Sequence, residues 1–230
     1  ENYELETTRV CFVSDENRNP VRVAYGGIGC ITNASNKVWG VKNVDYGLIY
    51  SSNVIAATVM TEFIGPDIYL DYLKRFGFFQ AVDTDGLREE TGILNYTWPF
   101  DKVALSYGQG STVTMLQMMQ AYSAIFTDGT MKKPYFIEKI VDSYDSSNVI
   151  YQAETHITGT PITADTAAYI REILWHVVND DDGTAKYYQI PETELIGKTG
   201  TTQVAVSGTY NSGKTIASIV VGMPADDPKY

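Results

Sequence analysis

Four consecutive residues near the end of the chain, Lys198, Thr199, Gly200 and Thr201, bring together a cation, two hydroxyls and a glycine within the run Glu194 to Val206. In an extended run side chains alternate, so Lys198 and Gly200 share one face and Thr199 and Thr201 the other. A glycine inside a strand marks a bulge or a place where something approaches the backbone closely. A cation, two hydroxyls and an open backbone edge make a receiver for a carboxylate. The plainer alternative is a strand ending in a Gly-Thr turn with a solvated lysine. The second candidate is Ser51-x-Asn53. If both residues face a cleft, the hydroxyl can pass a proton and the carboxamide can hold a substrate amide. The alternative is N-cap chemistry for the helix that follows.

The elements that must position these groups follow from local pattern. Ser51 and Ser52 precede Asn53 and an apolar run that reads as a mostly buried helix carrying Val54, Thr58, Thr61 and Phe63, closed by Gly65 and Pro66. Asp67 opens a second helix with Ile68, Leu70, Leu73 and Phe76, stopped by Gly77. Residues 78–100 read as a loop-rich connector, and Ser106 to Ser111 as a tight glycine turn. Thr114 with Gln117 three residues on is a capping box for a helix Met115–Phe126, with Leu116, Met119, Tyr122, Ala124 and Ile125 inward. Thr8–Val13, Tyr135–Ser143 and Val149–Gln152 read as strands, the last two around a turn at Asp145–Asn148. Thr163 caps a helix to about Asn179 with Ile170, Ile173, Leu174 and Val177 on one face. A final hairpin is expected from Glu194–Val206, a loop 207–214 and Thr215–Met223. Helices and antiparallel strands segregate, which predicts an α+β fold.

Composition narrows the classes of function. At 230 residues, 44% hydrophobic and 20% charged, the chain can bury a real core. A net charge of −11 without any basic block argues against nucleic acid or an anionic membrane as partner. Seventeen tyrosines against eight prolines argue against disorder. Two histidines, His156 and His176, lack a second ligand at metal spacing, so neither a His-based metal site nor a Ser-His-Asp triad is expected. Cys11 and Cys30 can pair or be buried thiols; two free thiols are the favoured expectation. No apolar stretch spans a bilayer and no signal peptide is seen, and the chain reads as a piece of something longer.

Two motifs are decoys. Ser146-Ser147-Asn148 repeats the tripeptide of the second candidate within a turn. Gly208 to Thr215 matches the phosphate-loop pattern, but that loop needs a helix after it, and the following run is short, Ile/Val-rich and stopped by Pro224.

The motifs in order resemble the transpeptidase domain of class B penicillin-binding proteins. The resemblance rests on YSSN at 50–53, YLKRFGF at 72–78, SYGQGSTVTMLQMMQAYSAIFTDGTMKKP at 106–134, DGTA at 182–185 and GKTGTTQ at 197–203. It implies the penicillin-binding, serine β-lactamase-like fold, an antiparallel sheet flanked by helices, here incomplete at both ends. Residues 1–230 would form one partial transpeptidase domain, running from before Ser-x-Asn to just past the Lys-Thr-Gly hairpin. Family members carry Ser-x-x-Lys as well, and no serine here has a lysine three residues later. The nucleophilic serine is therefore expected in an N-terminal part of the same protein, present as upstream sequence or as a second chain. The implied reaction cross-links peptidoglycan stem peptides through an acyl-serine, with β-lactam antibiotics as mimics of the donor. By the resemblance, Ser51 relays a proton, Asn53 holds the donor amide, Lys198 polarises Ser51, and Thr199 and Thr201 hold the donor carboxylate. The Thr201 N–H forms half of an oxyanion hole, and Gly200 lets the acyl chain lie on the strand edge. No cofactor or metal is implied. A glycosyltransferase and other cell-wall proteins are implied as partners, without nucleic acid, at the extracytoplasmic face of the bacterial membrane through an anchor outside this sequence. The alternatives on the same fold are a non-catalytic β-lactam-sensing or scaffold relative, and a serine β-lactamase or D,D-carboxypeptidase.

Overall fold

The computed structural model describes residues 3–206 and 209–229, with side chains outside 205–213. In chain order the strands and helices begin with β1 (Leu5–Glu6), β2 (Val10–Ser14), β3 (Pro20–Val23), β4 (Gly29–Ile31) and β5 (Val41–Lys42). Then come α1 (Val44–Ile49), α2 (Asn53–Thr58), α3 (Pro66–Arg75), α4 (Pro99–Ser106) and α5 (Met115–Phe126). The strands β6 (Met131–Lys132), β7 (Lys139–Val141), β8 (Val149–Gln152) and β9 (Ile157–Gly159) precede α6 (Ala164–Asn179). The long strands β10 (Ile196–Val206) and β11 (Thr209–Gly222) follow. The fold is α+β, as expected, and every strand pair among the described residues is antiparallel. These strands form several small sheets, the largest ordered β3-β2-β4.

The chain divides into two compact units. One comprises Glu1–Leu70, Leu94–Ser111 and Tyr169–Tyr230. Its core joins Val10 and Phe12 of β2 and Ile31 of β4 to Val54, Ala57 and Met60 of the α2 region and Val103 of α4. Val54 and Ala57 lie one helical turn apart, so α2 buries a single stripe. The helix foreseen through Ile64 loosens after Thr58 into a π-helical turn, Val59–Ile64, where the Gly65 N–H reaches back to the Met60 carbonyl at 2.8 Å. That change of winding turns Phe63 outward, 45% exposed, against the expectation that it is buried. Within this unit α4 was not foreseen. Pro99 occupies its first turn and the Asp101 carboxylate accepts the Trp98 N–H at 2.9 Å, a helix start without a Ser or Thr cap.

Cys11 and Cys30 form a disulfide. This corrects the expectation of two free thiols. The two residues face each other directly in the β2–β4 register, a pairing that antiparallel neighbours bring close enough for a bond and that sequence spacing does not reveal.

The other unit comprises Asp71–Ile93 and Thr112–Ala168. Here the capping box of α5 forms as foreseen: Gln117 N–H donates to Thr114 Oγ1 at 3.2 Å, and Gln117 Oε1 accepts the Thr114 N–H at 3.1 Å. The inward face differs in part from the expectation. Ala124 is buried as expected, but Met119 is 57% exposed and Gln117, Gln120 and Ala121 are buried. Gln117 earns its place in the interior by donating through Nε2 to the carbonyls of Gln80 (2.7 Å) and Thr91 (3.0 Å). The loop beside it is closed by Glu89, whose carboxylate accepts the backbone N–H groups of Val82, Asp83 and Thr84 at 2.6, 3.1 and 2.5 Å. Burial pushes this carboxyl up, but the three amides outweigh burial and hold it below the usual range. The strand expected over Tyr135–Ser143 shortens to β7, and the short pair β6–β9 was not foreseen.

Candidate active site

Ser51 lies between two helices. Asn43 caps α1 by accepting the Tyr46 N–H at 2.9 Å, and α1 ends at Ile49. The Ser51 and Ser52 N–H groups close the turn on Leu48 O (3.3 Å) and Gly47 O (2.8 Å). Ser51 takes a left-handed conformation, φ 54°, which is uncommon for a residue with a Cβ and a form of backbone strain that gathers at functional sites. Ser52, not Ser51, is the N-cap of α2: its Oγ accepts the Ile55 N–H at 3.2 Å. The capping expected of this tripeptide is thus carried by Ser52 and not by Ser51.

A residue that sequence reasoning passed over braces this turn. Buried Asn33 accepts from Ser52 Oγ (2.8 Å) and from the Val54 N–H (3.3 Å) through Oδ1. Its Nδ2 donates to Thr7 O (2.7 Å) and Lys37 O (2.9 Å). No local pattern marks it, because its partners are assembled from separate stretches of chain. Asn53 donates through Nδ2 to Thr32 O at 3.2 Å, so its Oδ1 remains to accept an N–H from a ligand.

The strand β10 supplies the other half. It pairs with β11 in unbroken register from Ile196 to Gln203, with Lys198 opposite Val220, Thr199 opposite Ile219, Gly200 opposite Ser218 and Thr201 opposite Ala217. The register shifts only after Gln203. A Cβ at Gly200 would lie 2.7 Å from Ser218 Oγ, so a larger residue here would require that hydroxyl to move. Thr202 Oγ1 donates to Gln109 Oε1 at 3.0 Å and ties the strand to the glycine turn after α4.

Lys198 Nζ donates to Ser51 Oγ and, at 3.0 Å, to Thr199 O. Residues 147 positions apart thereby become one group. The lysine is half-buried, and burial pulls its amine down to about 8. Thr199 Oγ1 donates to Thr184 Oγ1 at 3.4 Å, and Thr201 is exposed. Tyr50, beside Ser51, stacks on Tyr46 with ring centres 4.0 Å apart. Burial raises its hydroxyl well above the ordinary value, and Asp182, which accepts the hydroxyl hydrogen, adds to the rise.

The decoys have local explanations. Ser146–Asn148 forms the turn between β7 and β8, with Ser147 Oγ on Asp145 at 2.6 Å. In the phosphate-loop match Gly208 lies outside the described residues, but β11 runs through Lys214 and Thr215 to Gly222, so a strand stands where that loop requires a helix. The loop expected over 207–214 is largely strand, and Ser207 also lies outside the described residues. Among the described residues no three metal-ligating side chains cluster, and no helix is long and apolar enough to cross a membrane.

The model of the penicillin-binding protein transpeptidase domain matches residues 14–230. The chain belongs to that family. Among its relatives, stage V sporulation protein D of Bacillus subtilis is 32% identical over 170 residues, covering 73% of this chain and 26% of the relative. PbpB of Mycobacterium tuberculosis is 30% identical over 168 residues, covering 68% and 24%. The chain thus spans about a quarter of the length of these curated relatives. Penicillin-binding protein 3 of Mycobacterium tuberculosis superposes on 99% of this chain and 49% of its own with a TM-score of 0.80 at 25% identity. That neighbour has also been solved with aztreonam and with ampicillin. Penicillin-binding protein 2X of Streptococcus thermophilus superposes with a TM-score of 0.79 at 25% identity, over 99% of this chain and 33% of its own. The transpeptidase-domain fold expected from the ordered motifs is the fold observed.

Proposed function

We propose that this chain supplies the substrate-holding half of a peptidoglycan D,D-transpeptidase whose nucleophilic serine lies elsewhere in the same protein. The observation that carries the proposal is the hydrogen bond from Lys198 to Ser51, which joins the two motifs into one polar cluster. In the first step the nucleophilic serine oxygen attacks the penultimate D-alanine carbonyl of a stem peptide. The bond to the terminal D-alanine breaks, an ester forms, and Ser51 passes the serine's proton to the leaving amine. In the second step the amine of another stem attacks the ester, forms the cross-link and releases the serine. The Lys198 cation polarises Ser51 and raises the local positive potential, while Asn53 Oδ1 accepts the donor amide. The Thr199 and Thr201 hydroxyls hold the donor carboxylate, and the Thr201 N–H stabilises the oxyanion. A β-lactam, by analogy with the drugs bound in the structural neighbour, occupies the same place and leaves the serine acylated. The Cys11–Cys30 disulfide supports a compartment outside the cytoplasm, since such bonds persist where glutathione does not reduce them.

The test is to incubate the intact protein with fluorescent penicillin and run a denaturing gel. A stable labelled band on a segment other than this one is expected. Absence of label sinks the proposal, and rapid loss of label with antibiotic turnover transfers the chain to the β-lactamases. Lys198→Ala should slow labelling by about 100-fold, the scale of a lost electrostatic stabiliser. Thr201→Ala should slow it about tenfold, as for one hydrogen bond to a charged group. Lys214→Ala, exposed on β11, should change nothing.

A further inference from the structure

The segment after α6 carries a motif, Asp182 to Ala185, to which the mechanism above assigns no part. Its backbone is clamped. Ala185 is fully buried and donates its N–H to Val177 O at 2.9 Å, and the Gly183 N–H donates to Asp180 O at 3.0 Å. A Cβ at Gly183 would lie 2.5 Å from Val177 O, so only glycine allows the segment to fold so tightly onto the end of α6. Thr184, between these two anchored residues, is exposed. Its hydroxyl donates to Ile49 O at 3.2 Å and accepts from Thr199 Oγ1 at 3.4 Å.

This arrangement has the wrong polarity for the task given to Thr199. A carboxylate only accepts hydrogen bonds, and a threonine hydroxyl has a single hydrogen to give. In this structure Thr199 gives that hydrogen to Thr184 and turns lone pairs elsewhere. To hold an anion it must withdraw it. The contact is long for two hydroxyls, whose bonds centre near 2.7–2.8 Å, so it costs little to surrender. Thr199 Oγ1 can then accept a hydrogen, and Thr184 has one to offer. Rotating its O–H from Ile49 O to Thr199 Oγ1 supplies it. Ile49 O is the last carbonyl of α1, outside the helical ladder, and solvent can replace the donor it loses. The bond from Thr199 to the anion is charge-assisted and stronger than either bond exchanged.

We propose that Thr184 is a positioning residue of the carboxylate receiver: its hydroxyl takes the Thr199 hydrogen in this structure and returns one of its own when an anion arrives. The proposal rests on the reading of Thr199 as a holder of the donor carboxylate. Thr184 acts through Thr199, and the ligand it favours is one with a free carboxylate next to the scissile amide.

The test uses the intact protein and two probes, benzylpenicillin and its methyl ester, each measured by competition against fluorescent penicillin. Thr184→Val keeps the shape and removes the hydroxyl. It should lower the acylation rate constant for benzylpenicillin about threefold, as for one weak hydrogen bond between neutral groups, and leave the rate for the ester nearly unchanged. Thr184→Ser should restore the wild-type rate with both probes. Thr184→Ala, compared with wild type by thermal unfolding, provides a second hydroxyl-free chain if the valine variant does not fold. An unchanged rate with benzylpenicillin, or an equal loss with both probes, overturns the role of Thr184 while leaving the transpeptidase reading standing. A wild-type protein that takes up neither probe overturns both.

Discussion

Lys198 donates both to Ser51 and to the backbone of its neighbour, and only the protonated amine adds a positive charge to the cluster. Burial pulls that amine down to about 8, which places its titration within reach of ordinary assays. If the cation polarises Ser51, β-lactam acylation of the intact protein falls as pH rises through about 8. Lys198→Arg should abolish this alkaline limb, even at a lower plateau, because a guanidinium stays charged across the range. A pH–rate profile from pH 6 to pH 10 checks this, and a limb unchanged in the arginine variant assigns it to another group. The sign for stability is opposite to that of a salt-bridged lysine. A lysine in the unfolded chain titrates near 10.4, so between about 8 and about 10.4 the folded chain holds fewer protons and stability rises with pH. The residues that orient the cluster from behind, Asn33 and Thr184, act only through hydrogen bonds to distant parts of the chain.

At the scale of elements, α5 shows why a capping motif outperforms a hydrophobic count. The box Thr114–Gln117 needs only residues three apart, so the helix start is legible in the sequence. The buried face is not, because Gln117 and Gln120 replace the expected Met119. Gln117 satisfies two carbonyls and one N–H that would otherwise be unpaired. Gln117→Leu, apolar and of similar size, should therefore destabilise the protein by about 2–4 kcal/mol, since three hydrogen bonds worth about 0.5–1.5 kcal/mol each are lost. Denaturant unfolding measures the loss. A neutral or stabilising result would show that water reaches the Gln80 and Thr91 carbonyls. The helix α4 escaped the same kind of reading because its N-cap is a tryptophan, Trp98, whose backbone N–H is held by Asp101.

At the scale of the molecule, each of the two compact units is built from discontinuous stretches of chain. The first unit gathers three stretches and is cross-linked near its start by Cys11–Cys30. The bond closes a loop with a sequence separation of 19, and loops of that order gain about 3 kcal/mol from restricting the unfolded chain. Replacing both cysteines by alanine should lower the denaturant midpoint, and a reductant should lower it for the wild type alone. Equal midpoints with and without reductant would show that the two strands hold together without the bond. The disulfide and the core it staples lie in the same unit as Ser51 and Lys198, so loss of the bond is also expected to slow acylation by loosening the β2–β4 support of α2.

Whatever depends on neighbours in sequence was determined by the sequence alone. The strand character of Ile196–Val206, the capping of α2 and α5, the α+β class and the order of the family motifs are all of this kind, because capping, alternation and turn chemistry act over a few residues. Only the tertiary structure decided which serine caps and which meets the lysine, that Cys11 faces Cys30, and that Asn33 and Thr184 hold the site from behind. Each of these is a contact between stretches far apart in the chain, set by strand register and helix packing, and no local propensity encodes it.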